Sequence, residues 1–198
     1  MEAMGTDFAV NPDFNLDVIV LSRGEHSPGD NMCFMEAASV AAGEEWSDHP
    51  TCVSKVIGAF GRRINDAMDE ENRQSLKPYV LKVLGTVASV GVEVKRAKLA
   101  ADWAQQFENA DAAAYYAADA DAAYTADAAA YAVAYAAADA TAAAARAAHD
   151  ATTYAAAHDA TTYAAADAVA TRHQFWANLT PSILALLDAM IAVTEEQD

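Results

Sequence analysis

Ala110-Asp111-Ala112-Ala113-Ala114-Tyr115-Tyr116-Ala117-Ala118-Asp119 opens a run that stays rich in alanine as far as Ala170, and the reading of this run decides the fold class. Between Val92 and Thr180 there is neither glycine nor proline. Alanine is the best intrinsic helix former, so the run is expected to be helical. A single rod rising about 1.5 Å per residue would be far longer than a domain of this size. Breaks are therefore expected near Asn109-Ala110-Asp111 and near His149-Asp150, giving an antiparallel hairpin whose alanine faces let backbones approach closely. Phe175-Trp176 and Ile183-Leu184-Leu186-Leu187-Met190-Ile191 then read as a closing amphipathic helix around Pro181.

Toward the N-terminus the pattern changes. Residues 1–16 read as a flexible arm, and Asp17 to Leu21 is a β-branched run that predicts one short strand. Ser22 to Asp30 is dense in turn residues and reads as a loop. Asp30 or Asn31 is expected to cap a helix running to Ala42 and ended by Gly43. Ser47-Asp48-His49-Pro50 has the residues of a helix start, and Val53, Val56, Ile57, Phe60 and Ile64 follow at helical spacing, with Arg62, Arg63 and Asp66 largely off that face. A third helix is expected from Asp69-Glu70-Glu71 to Gly85, kinked or split at Pro78, and a fourth from Val92 to Phe107. The organisation predicted is mainly α. A helical domain with one short strand over residues 17–108 packs on an alanine-rich hairpin and closing helix over 109–198, as one compact unit.

Composition narrows the function. The chain has 198 residues, 54% of them apolar, and a formal net charge of -17, which argues against bulk disorder. Residues 1–100 hold 15 acidic and 10 basic side chains, and residues 101–198 hold 14 acidic side chains against only Arg146 and Arg172. Such a balance lacks the Lys and Arg surplus that neutralises phosphates, so direct nucleic-acid binding is not expected. The N-terminus has no basic start leading into an apolar run, no stretch reads as a membrane span, and two cysteines are too few for a disulfide framework. The expectation is a cytoplasmic protein.

The densest group of reactive side chains is His26, Cys33, Glu36, Asp48, His49 and Cys52. His49-x-x-Cys52 has metal-ligand spacing, and His26 with Cys33 would complete a tetrahedral zinc site. Against zinc, Cys33 adjoins Phe34 and Met35, and Cys52 falls in helical register with Val56 and Phe60, as buried thiols do. Glu36, Asp48 and His49, with His26, also suit acid/base chemistry, since carboxylate–imidazole pairs tune one another. The structural alternative makes Asp48 a helix-start residue and Glu36 an ion-pair partner of Arg23 or Arg62. No nucleophile elbow, P-loop or dinucleotide fingerprint accompanies them.

In the alanine-rich half, Tyr116, Tyr124, Tyr131 and Tyr135 share one helical face and could meet a partner or fill gaps that alanine leaves. The nonapeptide starting at His149 recurs at His158, a nine-residue period that turns successive copies to opposite sides of a helix, which speaks for local duplication and not for a reading array. Asp119, Asp121, Asp127, Asp139, Asp150, Asp159 and Asp167 scatter around the axis, which leaves mimicry of DNA phosphates as a minor alternative.

Met32-Cys33-Phe34-Met35-Glu36-Ala37, Ala42-Gly43-Glu44, Trp46-Ser47-Asp48-His49-Pro50, Cys52-Val53, Val56-Ile57 and Phe60, followed by Asn65-Asp66, Arg73, Leu76, Pro78 and Gly85-Thr86, resemble an uncharacterised family of actinobacteria and their phages. That family commonly carries an alanine-rich helical tail, and Val169 to Val193 looks like its closing helix. The resemblance is specific over Met32 to Thr86 and compositional beyond. It implies a bacterial or phage-infected cytoplasm and directs attention to the loop Glu44–Cys52, and it brings no activity and no catalytic residue.

The function expected is non-catalytic binding of a host protein or a small molecule, through Trp46, Ser47, Asp48 and His49 or the tyrosine face. Alanine-rich helices also favour a homo-oligomer, and no cofactor is expected. The alternative is a metal-dependent or acid/base enzyme using His26, Glu36, Asp48 and His49. The third reading is an acidic DNA mimic that inhibits a nucleic-acid enzyme.

Overall fold

The computed structural model describes residues 9–28, 31–104 and 163–195, together with 142, 143, 145, 146, 149, 150 and 153. The described chain is mainly helical, as its spacing predicts.

Helix α1 spans Phe34–Ala41 and sits at the centre, with every residue but Val40 buried. Its cap is Cys33, not Asp30 or Asn31. The Cys33 sulfur accepts the Glu36 N–H at 3.5 Å, and the Glu36 carboxylate reaches back to accept the Cys33 N–H at 2.6 Å. This reciprocal pair satisfies two amides that a helix start leaves open. At the other end Gly43 takes φ +70°, which lets the Glu44 N–H return to the Ser39 carbonyl at 3.0 Å. Asn11 donates its backbone and side-chain N–H groups to the Ala41 and Val40 carbonyls at 2.8 and 3.1 Å. From Asn11 onward the N-terminal segment is thus tied to the end of α1.

No strand forms at Asp17–Leu21. Leu16–Val18 make a 3₁₀ turn capped by the Asn15 side chain, and Leu21 forms one isolated parallel bridge to Met32. The Gln74 side chain donates to the Leu21 carbonyl at 2.8 Å and accepts its N–H at 3.0 Å, in the place a neighbouring strand would occupy. A β-branched run without a partner strand has no ladder to join, and Val18 and Val20 are left exposed.

Helix α2 spans Lys55–Ala67 and begins at Ser54, seven residues beyond the expected start at Ser47. The polar groups that mimic a helix start are engaged locally. The Ser47 hydroxyl accepts the His49 N–H, and Glu44 takes the Thr51 and Cys52 N–H groups from across the loop. Val56, Ile57, Phe60 and Ile64 face the core as their spacing predicts. Arg62 departs from expectation, since it is only 9% exposed and its Nη1 donates to the Asp48 carbonyl at 2.7 Å.

The expected third helix is split into α3 (Glu70–Arg73), a 3₁₀ turn (Gln74–Leu76) and α4 (Tyr79–Lys82), with Pro78 at the junction. Proline has no N–H and its ring crowds the carbonyl four residues earlier, so the helix stops there. Gly85, at φ +72°, ends this section. Helix α5 covers Val90–Ala104, and the expected continuation to Phe107 lies outside the described residues.

Helix α6, Tyr163–Ala192, closes the structure against α2, α3 and α5, with Pro181 inside it. Trp176, Ile183, Leu187 and Met190 are fully buried in the same core as Phe34, Phe60 and Leu21. Polar pins fix its position. Trp103 donates to the Ser182 hydroxyl at 2.8 Å, and Tyr79 donates to Asp188 at 2.6 Å. The buried Glu93–Arg96 pair joins three pieces: Glu93 accepts from Ser54 and the Val56 N–H at the start of α2, while Arg96 donates to the carbonyls of Thr86 and Met190. By length and mean hydropathy alone His173–Ala192 is long and apolar enough to cross a membrane, although it carries Asp188. Its apolarity is matched here by core contacts. His149 and Asp150 are themselves helical, and the residues on either side of them, like Asn109-Ala110-Asp111 where the other break is expected, lie outside the described residues.

Candidate functional site

Two loops flank α1, and with Glu36 on the helix they carry the candidate residues His26, Cys33, Asp48, His49 and Cys52. The first, Ser22 to Cys33, is organised by Glu36, whose side chain is fully buried. Its carboxylate accepts the His26 N–H at 2.7 Å and the Cys33 N–H at 2.6 Å, and one oxygen lies 2.9 Å from His26 Nδ1. The other imidazole nitrogen, Nε2, lies 3.1 Å from the Ser22 hydroxyl. The Trp46 indole donates to the His26 carbonyl at 2.9 Å, which ties this loop to the second. Glu36 thus pairs with His26 and the loop amides, where an ion pair with Arg23 or Arg62 was the structural expectation. Ser22 is the residue that sequence reasoning missed. Its i, i+4 spacing to His26 is the only signal, and it means little in a loop.

The second loop, Glu44 to Ser54, closes on the Glu44 carboxylate. That group accepts the Thr51 N–H at 2.6 Å, the Thr51 hydroxyl at 2.9 Å and the Cys52 N–H at 2.9 Å. Desolvation opposes its ionisation, but the bonds from Thr51 and Cys52 prevail and hold the carboxyl below its ordinary value. Asp48 caps no helix here. It pairs with His49 Nδ1 at 2.5 Å and lies 3.8 Å from Arg62 Nε. The structure therefore brings His26 to Glu36 and Asp48 to His49 as two pairs, with no hydrogen bond joining one pair to the other.

The two thiols do not suit nucleophilic chemistry. Burial pushes Cys33 up to about 12 and Cys52 up to about 11, with Glu36 and Glu44 respectively adding carboxylate repulsion, so both stay protonated at neutral pH. Cys33 is held as a helix cap and both His26 nitrogens have partners. Among the described residues no three of His, Cys, Asp and Glu converge as a metal site. The set His26, Cys33, His49 and Cys52 is thus not assembled around one point.

What the second loop does form is a cavity of about 360 Å³ against α2. Pro50, Val53 and Val87 give it apolar walls, and buried Gly58 adds bare backbone. His49, Lys55 and Arg62 bring polar groups to the same space. Of the expected binding residues Trp46, Ser47, Asp48 and His49, only His49 lines the cavity. Trp46 and Ser47 hold the loop in place, and Asp48 positions His49 and Arg62. A volume of this size suits a small molecule held by apolar walls and a few polar groups.

A larger cavity of about 750 Å³ lies between α3 and α6, beside Asp69, Glu71 and His173. Two of its polar groups join those helices: Asp69 caps α3 through the Asn72 N–H at 2.9 Å, and His173 lies 3.3 Å from Asp69. Tyr116, Tyr124, Tyr131 and Tyr135 lie outside the described residues, as do the aspartates of the proposed phosphate mimic other than Asp150 and the helical backbone of Asp167.

No protein-family model matches this chain, and neither does any curated protein or solved structure. What the protein does therefore rests on the site's own geometry.

Proposed function

We propose that this is a non-catalytic binding protein that holds a small molecule in the cavity between the loop Glu44–Ser54 and helix α2. The observation that carries this reading is the cavity itself, about 360 Å³ with apolar walls and a few convergent polar groups, on a loop closed by a dedicated carboxylate. Occupancy, not bond-breaking, is its mechanism, since no cysteine is among the described lining residues and the carboxylates of Asp48 and Glu44 are engaged by His49, Thr51 and Cys52. The test is a small-fragment screen read by amide chemical shifts of the full chain. Hits should move Val53, Lys55, Gly58 and Val87 together and saturably. Hits gathered elsewhere, or none at all, would contradict the reading.

One specific observation supports a second reading, as a serine-based hydrolase. Ser22 Oγ, His26 and Glu36 stand in hydrogen-bonded order at 3.1 and 2.9 Å, the order in which a base activates a hydroxyl and a carboxylate orients the base. A fluorophosphonate probe distinguishes the two readings. The hydrolase reading requires a stoichiometric adduct on Ser22 that is lost in Ser22→Ala and His26→Ala, and an unlabelled protein removes it.

A further inference from the structure

Helix α2 holds two interior glycines one turn apart, and only one of them is required by packing. A Cβ built on Gly61 would lie 2.9 Å from two ring carbons of Phe34, so no side chain fits there. A Cβ built on Gly58 would meet nothing nearer than 3.5 Å, at Arg62 Nη1 and then Met35 Sδ at 3.6 Å. Those are ordinary contacts, and φ at Gly58 is not in the left-handed region. Glycine in a helix interior costs stability relative to alanine. At Gly58 neither conformation nor packing accounts for it, and what its missing side chain leaves open is the cavity beside the Glu44–Ser54 loop.

The charges around that cavity run against the rest of the chain. The protein carries a net charge of -17, yet Lys55 and Arg62 both line this space and His49 joins them. Among the described lining residues none is a carboxylate: Asp48, just outside the space, pairs with His49 and lies 3.8 Å from Arg62 Nε, and Glu44 is engaged by Thr51 and Cys52. The Arg62 side chain is 10% exposed, so its charge acts where water screens it weakly. Apolar walls from Pro50, Val53 and Val87 complete the space.

We propose that the cavity takes a small organic anion: a carboxylate on a compact apolar body, with the body against Val53 and Gly58 and the charge toward Arg62 and Lys55. This inference rests on the cavity being the ligand site, as proposed above. Arg62 supplies direction, because its guanidinium is already fixed by the Asp48 carbonyl and loses little freedom on binding. Gly58 supplies room.

Matched probes test it. Benzoate and 3-phenylpropionate are titrated against benzamide and 3-phenylpropionamide, with the shifts of the Val53, Gly58 and Val87 amides giving the dissociation constants. The acids are expected to bind about tenfold more tightly than the amides, the effect of one charge-assisted bond over a neutral one. Lys55→Gln, at an exposed position, should weaken the acids and leave the amides unchanged, and Gly58→Ala should weaken all four. Equal affinity for acid and amide would overturn the anion assignment while leaving the cavity as the site. No saturable shift at these amides with any of the four would overturn both.

Discussion

The loops on either side of α1 carry similar residues and end in different states. In Ser22–Cys33 the reactive groups bond to one another and to the loop backbone: Glu36 accepts three bonds, and both nitrogens of His26 have partners. In Glu44–Ser54 a carboxylate also closes the loop, but a cavity remains between it and α2, lined by Lys55 and by Arg62, which the Asp48 carbonyl holds. Residue type alone does not separate these cases. What separates them is whether the hydrogen-bonding capacity of the polar groups is used inside the loop, and whether space remains that the surrounding residues could have filled. Reactive side chains mark the first loop, and a glycine without a packing reason marks the second.

The sharpest way to break this comparison is Glu36→Ala. It leaves the His26 N–H, His26 Nδ1 and Cys33 N–H without their acceptor at buried or partly buried positions, and a loss of about 3–5 kcal/mol, the sum of three unsatisfied groups, is expected in urea unfolding. A loss below about 1 kcal/mol, the scale of one ordinary hydrogen bond, would mean that the first loop does not depend on Glu36.

The two glycines of α2 should then respond with opposite signs. Gly61→Ala pushes a methyl into the Phe34 ring and is expected to cost roughly 1–2 kcal/mol, overpacking outweighing the gain in helix propensity. Gly58→Ala meets only ordinary contacts and should stabilise by roughly 0.5–1 kcal/mol. Thermal melting of the pair checks the signs, and losses of equal size would remove the distinction on which the cavity assignment depends.

The smallest effect is expected at Glu44. Replacement by Gln keeps the shape but leaves one acceptor oxygen for three donors, at a cost of about 1 kcal/mol near neutral pH. The folded-state carboxyl is held below its ordinary value, so its contribution is complete above the unfolded-state pKa and disappears as pH falls through the folded-state value. Wild type and Glu44→Gln should therefore converge in acid. A gap that stays constant from neutral to acid pH would mean that the loop does not close on the ionised carboxylate.

The helical class was legible from propensity and spacing, and so was the inward face of α2, because Val56, Ile57, Phe60 and Ile64 repeat at the helical period. Pro78 announced the split of the third helix, and Gly43 and Gly85 announced the left-handed turns. Helix starts were less legible. The true cap of α1 is a cysteine completed by Glu36, and α2 begins late because Glu44 draws in amides from across the loop. The expected strand failed for a similar reason, since Gln74, 53 residues away, satisfies Leu21 instead of a second strand. The cavity could not be read at all from spacing, because it is the gap between a loop and a helix that are joined only in three dimensions. Gly58 was its one trace in the sequence, and a glycine inside a helical pattern is a signal that can be searched for.

The most direct test of the account is to measure the stability and ligand binding of Gly58→Ala on the same sample, with thermal unfolding and benzoate titration as the two readouts. The account predicts that the variant melts higher than wild type and binds more weakly, because the methyl strengthens the helix while occupying the ligand's space. A variant that melts higher and binds benzoate as tightly as wild type would show that the space above Gly58 is not where the ligand sits.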